Sequence, residues 1–327
     1  MTTFSFQDID EAYARIHSLI LKTPLVSNES INKITKANIF FKLENLQWTG
    51  SFKLRGASNK IVQLKKNQKN NGIVAYSSGN HGQAVAYVSK LNNIPSTIVM
   101  PKNAPSIKIN NTKKYGSEVV LYDPAREVRE DIANDIARTT KKTVIQPYDD
   151  LDIIAGQGTA GKEIAEDLLG KNIQPDIYLC CCGGGGLIAG TATYLKHKFP
   201  DIEIYSVEPD EFNDTQLSLR SNSITSIKKG AQTICDALLA QQPGDITFSI
   251  NKQMLTDGLT VSDNEIKKTI IALAENLKVI AEPGGAVAAA ALLNKKLNVE
   301  NKTIIVMISG GNIDSKLFSS IAKEKNA

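Results

Sequence analysis

The sequence of 327 residues predicts an α/β fold, and three observations support this prediction. Short apolar runs alternate with segments of helical periodicity along most of the chain. Several turns that follow the apolar runs are rich in glycine and small polar residues. The composition, with 42% hydrophobic and 22% charged residues, is ordinary for a globular enzyme. Such alternation is typical of a parallel sheet that is covered by helices on both faces.

The elements are expected in a regular order along the chain. A variant capping box at Ser5 and Asp8 begins a first helix, which Thr23 and Pro24 end. The next elements alternate as strand 38–43, helix 51–64, strand 72–76, helix 83–91, strand 96–100, helix 106–115, strand 118–122, helix 124–140 and strand 143–146. After them come helix 159–169, strand 176–179, helix 187–196, strand 202–207, a helix capped by Ser262 and Glu265, an alanine-rich helix opened by Glu282–Pro283, and strand 304–308. We expect residues 71–147 to form a smaller domain, inserted into a larger one made of residues 1–70 and 148–327.

Charge and hydropathy exclude several classes of function. The net charge of +4 is dispersed among acidic residues, so neither nucleic acid nor an anionic membrane is indicated as a partner. No apolar run reaches the roughly 20 residues that span a bilayer, and the first ten residues lack a signal-peptide pattern. We therefore expect a cytoplasmic protein. Cys180, Cys181 and Cys182 are adjacent, which fits neither a disulfide framework nor a metal site, and we interpret them as small apolar fillers.

Four consecutive glycines, Gly183 to Gly186, separate an apolar strand from a helix. Backbone N–H groups that no side chain covers can bind an anion at a helix N-terminus, and phosphate is the usual ligand. Gly184-x-Gly186-x-x-Ala189 also satisfies the dinucleotide pattern, and Glu208 follows the next strand as the ribose-binding acid would. A nicotinamide-dependent oxidoreductase is therefore an open alternative at this point.

Two further segments carry chemistry. Lys53 begins a helix among apolar and small residues, where loss of hydration would lower its pKa and make the amine a nucleophile toward an aldehyde. An isolated lysine would more simply extend to solvent. The segment Ser77–Gly82 lies between a strand and a helix and forms a second candidate anion site. Open α/β sheets bind their ligands at such strand ends.

The chain resembles the serine/threonine dehydratase and serine racemase family of fold type II pyridoxal-phosphate enzymes. The matching motifs stand in the family's order over nearly the whole chain: Ser51-Phe52-Lys53-Leu54-Arg55-Gly56-Ala57, Ser77-Ser78-Gly79-Asn80-His81-Gly82-Gln83, Ala155-Gly156-Gln157-Gly158-Thr159, Gly183 to Gly186, Glu282-Pro283 and Ser309-Gly310-Gly311-Asn312. The resemblance implies two open, twisted, mostly parallel sheets covered by helices, as in the tryptophan synthase β subunit. It also implies that the glycines hold the phosphate of pyridoxal phosphate, and that the protein is a homodimer.

The resemblance assigns a role to each matching position. Lys53 would hold the cofactor covalently and act as the base, and Ser78 stands where racemases protonate the opposite face of Cα. The expected cofactor-binding residues are Phe52, Lys53, Asn80, Gly183, Gly184, Gly185, Gly186, Glu282 and Ser309, with Ser309 at the pyridine nitrogen. The expected substrate-binding residues are Ser77, Ser78, Asn80 and His81.

The implied reaction is β-elimination from a small amino-acid substrate, L-threonine and/or L-serine, to give a 2-oxo acid and ammonia. In the family the cofactor phosphate is thought to protonate the leaving hydroxyl group. Serine racemase, 3-hydroxyaspartate dehydratase and a hydroxyectoine-catabolism dehydratase are the alternatives within the family. The departure from the family's Asp-Gly pair at Ile234–Ala237 falls on the substrate side-chain pocket, and Trp48 replaces a basic residue near a nucleotide site, which argues against regulation by ATP.

A divalent-cation site is also implied. Glu208, the Phe212 carbonyl and Asp214 match the spacing of the metal site in serine racemase-like members, although acids in such a loop are more often simply solvated. Ligands that are all oxygen favour Mg²⁺ or Ca²⁺.

Overall fold

The computed structural model describes residues 4–77 and 79–324. The helices are α1 Phe6–Ile16, α2 Glu29–Thr35, α3 Lys53–Val62, α4 Lys66–Asn71, α5 Asn80–Leu91, α6 Ser106–Lys114, α7 Arg129–Thr140, α8 Leu151–Leu169, α9 Gly186–Lys198, α10 Asp214–Ser221, α11 Asp245–Met254, α12 Asp263–Asn276, α13 Pro283–Leu293 and α14 Ser315–Glu324. The strands are β1 Leu25–Val26, β2 Asn38–Leu43, β3 Ile73–Tyr76, β4 Ser96–Pro101, β5 Glu118–Tyr122, β6 Thr143–Val144, β7 Ile177–Cys181, β8 Glu203–Pro209, β9 Asp257–Val261 and β10 Thr303–Ile308.

The strands form two sheets, which confirms the predicted fold class. The larger sheet has the order β1-β2-β10-β7-β8-β9, and only β1 in it runs antiparallel to its neighbour. The smaller sheet has the order β5-β4-β3-β6 and is parallel throughout. Parallel strands need crossover connections, and the helices supply them and cover the sheets.

The two sheets have separate apolar cores. β7 and β10 are almost entirely buried, as a central strand covered on both faces should be, and they lie in a core with helices α8, α9 and α13. The core of the smaller sheet includes residues of α3, so this helix packs against both units. All strands of the smaller sheet lie within 71–147. The division into domains at these boundaries stays a prediction.

Helix α8 begins earlier than the sequence analysis predicted. We expected a loop before Thr159, whereas the helix begins at Leu151, with Asp150 accepting hydrogen bonds from its first N–H groups. The glycines in this segment allow neighbouring helices to approach closely. A Cβ on Gly156 would lie 2.6 Å from the Cα of Gly56 in α3. None of the helices within the described ranges combines the length and apolar character needed to cross a bilayer.

Candidate active site

The carboxyl ends of β3, β7 and β10 border one cavity. Its lining includes Lys53, the glycines 183–186 and Ser309, together with Ser77, Asn80 and His81. Backbone hydrogen bonds join the segment before Lys53 to the end of β10, because the Phe52 N–H donates to the Ser309 carbonyl at 3.1 Å. The structure therefore brings together the predicted cofactor and substrate residues, apart from Ser78, which lies outside the described residues.

Lys53 is the first residue of α3, and its amine points into the cavity. The Nζ atom donates a hydrogen bond to the Pro147 carbonyl at 2.7 Å and lies 5.1 Å from the centre of the Phe52 ring. The pKa of Lys53 is lowered to about 8, mainly by burial; Cys181 opposes this shift, and the Arg129 charge contributes to it. A substantial fraction of this amine is neutral near physiological pH, as a nucleophile or base requires.

The glycine cradle, residues 183–186, connects β7 to α9. Gly185 has a φ of +89°, a conformation that favours glycine, and a Cβ on Gly184 would lie 2.3 Å from the Tyr148 ring. The Thr247 hydroxyl donates to the Gly184 carbonyl at 2.8 Å. Among the described residues, no acceptor is found for the N–H groups of these four glycines. Unpaired amides at a helix N-terminus fit a phosphate group.

The Ser77–His81 segment opens helix α5 on the opposite side of the cavity. Ser77 Oγ accepts from the Gly79 N–H at 3.0 Å, and Asn80 holds both Glu282, by donating to its Oε1, and Asn312, by accepting at 2.9 Å. Burial, then the Lys53 charge, lowers the pKa of His81 to about 3. Its Nε2 contacts the Ile145 carbonyl at 3.0 Å, so the neutral ring carries its proton there.

Glu282 is a buried carboxylate at the start of α13. Its Oε2 accepts from Lys108 at 3.0 Å, and Lys108 also donates to Asp236 at 2.6 Å. Burial raises the pKa of Glu282, whereas Lys108 opposes this effect. The Lys108 ammonium group compensates the charge of the Glu282 carboxylate, which would otherwise be costly to bury.

Sequence reasoning missed several residues of the cavity and its surroundings. Tyr148, Arg129 and Lys108 stand in no recognised motif, and only the tertiary structure brings them to the site. Arg129 begins α7 and lies 5.5 Å over the Tyr76 ring. Asp236 and Ala237, the last two residues of the segment that departs from the family pattern, line the cavity, and so do the next residues up to Ala240.

The cysteine interpretation needs one correction. Cys180 and Cys182 are buried fillers, but Cys181 lines the cavity and its thiol donates to Ser309 Oγ at 3.1 Å. All four cysteines are free, which agrees with the absence of a disulfide framework.

Of the predicted metal residues, Glu208 lies near the end of β8, Phe212 in the loop that follows, and Asp214 at the start of α10, all apart from the cavity lining. Glu208 accepts from the N–H groups of Thr215 and Gln216, each at 2.8 Å, and so caps α10. Burial, then the nearby Asp214 charge, raises the pKa of Glu208 well above its usual value. Burial raises the pKa of Asp214 to about 7, and its Oδ2 has no hydrogen-bond partner among the described residues. Within residues 4–77 and 79–324, no three His, Cys, Asp or Glu side chains form a cluster suited to a metal ion.

Comparison with known proteins defines the class. Residues 16–310 match the family model described as pyridoxal-phosphate dependent enzyme. The chain is 40% identical to serine racemase of Schizosaccharomyces pombe, over 96% of each chain. It is 39% identical to L-threo-3-hydroxyaspartate ammonia-lyase of Saccharomyces cerevisiae, over 98% of this chain and 97% of that one. The crystal structure of T.th. threonine deaminase superposes with a TM-score of 0.89 at 34% identity, covering 95% of this chain and 99% of that one.

This chain belongs to the pyridoxal-phosphate-dependent enzyme family. Its relatives include carbon–nitrogen lyases and a racemase of the predicted group, so the family resemblance is confirmed. The nicotinamide alternative is wrong, because residues 16–310 match the pyridoxal-phosphate-dependent enzyme family. Glu208, which that alternative assigned to a ribose, is engaged at the start of α10.

Proposed function

We propose that this enzyme is an ammonia-lyase that converts L-threonine and/or L-serine to a 2-oxo acid and ammonia. One observation carries the proposal: a lysine amine with its pKa lowered to about 8 faces a cavity that also contains four glycine N–H groups with no acceptor among the described residues. The amine suits covalent attachment to an aldehyde, and the amides suit a phosphate. The residues present therefore fit pyridoxal phosphate.

Each of these residues has a distinct role in the proposed reaction. Pyridoxal phosphate, when bound, supplies an electron sink for the charge that develops at Cα. Lys53 holds the cofactor and, as a neutral amine, accepts the Cα proton. The glycine amides bind the phosphate, and Ser309 donates to the pyridine nitrogen. A neutral serine there leaves the ring a weaker electron sink than a carboxylate partner would, which favours elimination over transamination.

The start of α5 suits the substrate carboxylate. The N–H groups of Asn80 and His81 have no acceptor among the described residues, and the helix dipole favours an anion at this end. The His81 ring is neutral, so it adds no charge to this contact. Loss of the β-hydroxyl group as water, followed by hydrolysis of the released product, gives the 2-oxo acid and ammonia.

A second candidate substrate, 3-hydroxyaspartate, is favoured by Arg129. This cation lines the cavity in which the substrate would bind, where a second carboxylate could form a charge-assisted pair with it. Racemisation through Ser78, and the hydroxyectoine-related reaction, stay predictions.

A substrate panel separates the candidates. We would measure 2-oxo acid release from L-threonine, L-serine, D-serine and L-threo-3-hydroxyaspartate. Arg129→Gln should lower kcat/KM for hydroxyaspartate by about 10- to 100-fold, the usual range for a lost charge-assisted hydrogen bond, and should affect L-threonine much less. Arg126→Gln is the matched control, since Arg126 is exposed three residues away. Equal losses for both substrates would refute the role of Arg129.

The central proposal has its own test. The purified protein should be yellow, borohydride reduction should attach the cofactor to the peptide that contains Lys53, and Lys53→Ala should abolish elimination. Attachment to another peptide would overturn it. Turnover of Lys53→Ala within about tenfold of the native rate, worth only about 1.4 kcal/mol of barrier, would show that another residue is the base.

We also propose that Glu208, the Phe212 carbonyl and Asp214 bind Mg²⁺ or Ca²⁺. Two buried carboxyl groups with raised pKa values support this, as does the Asp214 Oδ2 atom, which has no hydrogen-bond partner within the described ranges, because a cation would compensate both charges. The role assigned to the ion is structural.

We propose, finally, a homodimer. Three apolar side chains near the Asn45–Ile280 hydrogen bond are exposed: Leu46 by 44%, Trp48 by 60% and Ile280 by 49%. A second copy of the chain would remove this apolar surface from water.

A further inference from the structure

Cys181 is the last residue of β7, and its side chain enters the cavity. It is 4% exposed, and Sγ donates to Ser309 Oγ at 3.1 Å. The neighbouring cysteines point elsewhere: Cys180 Sγ contacts the Cys181 carbonyl, and Cys182 Sγ contacts Thr215 Oγ1 at 3.2 Å. Of these three adjacent thiols, Cys181 is thus the one placed beside the predicted cofactor residues.

The Ser309 hydroxyl has one proton to donate and two lone pairs that accept. The Cys181 thiol occupies one lone pair. Among the described residues, no acceptor is found for the Ser309 proton. A hydroxyl rotates about its C–O bond, and a donor on one side directs its proton toward the other. The cavity, which both Cys181 and Ser309 line, is therefore where the Ser309 proton is directed.

We propose that Cys181 is a positioning residue that orients the Ser309 hydroxyl so that it donates to the pyridine nitrogen of the cofactor. This inference rests on the proposed function, which assigns Ser309 to that nitrogen. Without the thiol, the hydroxyl can turn and present a lone pair to the nitrogen, and two facing lone pairs do not form a hydrogen bond. The thiol acts through Ser309 and takes no proton from the substrate.

The chain offers variants that isolate this effect. Cys181→Ala removes the donor and shortens the side chain, and Cys181→Val removes the donor with a side chain slightly larger than that of cysteine. Cys181→Ser restores an O–H donor. Cys182→Ala is the matched control, since it removes an adjacent buried thiol that contacts Thr215 Oγ1 and the Gly183 carbonyl rather than Ser309.

The first measurement is the dissociation constant of pyridoxal phosphate for each apoenzyme, by absorbance titration. Loss of one oriented hydrogen bond predicts about three- to tenfold weaker binding for Cys181→Ala and Cys181→Val. Cys181→Ser and Cys182→Ala should stay within about twofold of the native value. In a Ser309→Ala background, Cys181→Ala should add no further loss, because the thiol acts only through that hydroxyl.

A second measurement needs no cofactor turnover and no substituted cysteine. Methyl methanethiosulfonate should label Cys181 in the apoenzyme, quantified on its peptide by mass spectrometry, and bound pyridoxal phosphate should protect it. Native affinity in both Cys181→Ala and Cys181→Val, an equal loss in Cys181→Ser, or an undiminished loss in the Ser309→Ala background would each overturn the inference. Should the native protein bind no pyridoxal phosphate at Lys53, the proposed function itself fails, which these titrations distinguish.

Discussion

Lys53 should lower the stability of the apoenzyme at neutral pH, and Lys53→Met should relieve this cost. Its folded pKa of about 8 lies below the ordinary 10.5, so the unfolded chain binds the proton more tightly. The difference of 2.5 units, at 1.36 kcal/mol each, gives an upper bound of about 3.4 kcal/mol. The true value should be smaller, because the side chain is only partly buried.

The pH dependence identifies the cause. The cost is fully present below pH 8 and disappears as pH rises toward 10.5, because only the unfolded state is protonated in that interval. Urea unfolding of both apoenzymes should therefore show the advantage of Lys53→Met falling from at most about 3.3 kcal/mol at pH 7 to at most about 1.4 kcal/mol at pH 9.5.

A lysine on the same helix provides the control. Burial lowers the pKa of Lys60, but hydrogen bonds to Asp150 and Asp152 outweigh it and raise the pKa. Its contribution should therefore be constant between pH 7 and 9.5, and so should the effect of Lys60→Met. An advantage of Lys53→Met that does not change over this range would refute the assignment of a lowered lysine pKa.

Three further predictions concern the cradle, the metal and the dimer. Gly184→Ala should weaken pyridoxal phosphate binding at least tenfold in titrations, because its Cβ would lie 2.3 Å from the Tyr148 ring. Gly183→Ala should weaken binding less, because its Cβ would lie 3.3 Å from Leu238. Equal affinities of the two variants would contradict this prediction. Adding Mg²⁺ or Ca²⁺ to chelator-treated protein should raise Tm, because binding at a hundredfold excess over Kd stabilises the folded state by about 2.7 kcal/mol. Asp214→Ala should abolish this rise, whereas Asp210→Ala, at an exposed residue, should not. A Tm that changes with neither cation nor chelator would show that these acids bind no metal. Trp48→Lys should shift the mass in solution, measured by light scattering, from that of a dimer to that of a monomer. Leu91→Lys, which replaces another exposed apolar residue, should leave the dimer intact. A native protein that is a monomer would refute the dimer.

The sequence predicted the location of the site because each chemical motif follows a strand. Gly183 comes after β7 and Ser309 after β10, and these parallel strands end at a common edge of the larger sheet. Ser77 comes after β3, at the corresponding end of a strand of the smaller sheet. Lys53 was recognisable because it stands in the Ser51–Ala57 motif that resembles the family's; an isolated lysine there would only have suggested a side chain that extends to solvent. These are local signals, so a single sequence carries them.

The rest could not be predicted from local pattern. The glycines of α8 look like loop residues, yet they serve close helix packing, which depends on a partner distant in sequence. Arg129 and Lys108 resemble ordinary surface cations in their own segments. Their functional surroundings come from elements about 50 to 170 residues away, and no periodicity reports such contacts.

Lys108 shows why the two sheets must act together. The glycine cradle and Ser309 follow strands of the larger sheet, whereas the Ser77–His81 segment follows a strand of the smaller one. Lys108 lies on α6, which packs against α5 and β5 of the smaller unit, yet it pairs with Glu282 and Asp236 of the larger. Separating the units would leave the buried Glu282 carboxylate without its cation, which typically costs about 3–5 kcal/mol. The same carboxylate accepts from Asn80, so one buried charge pair holds the proposed carboxylate-binding helix against the proposed cofactor site.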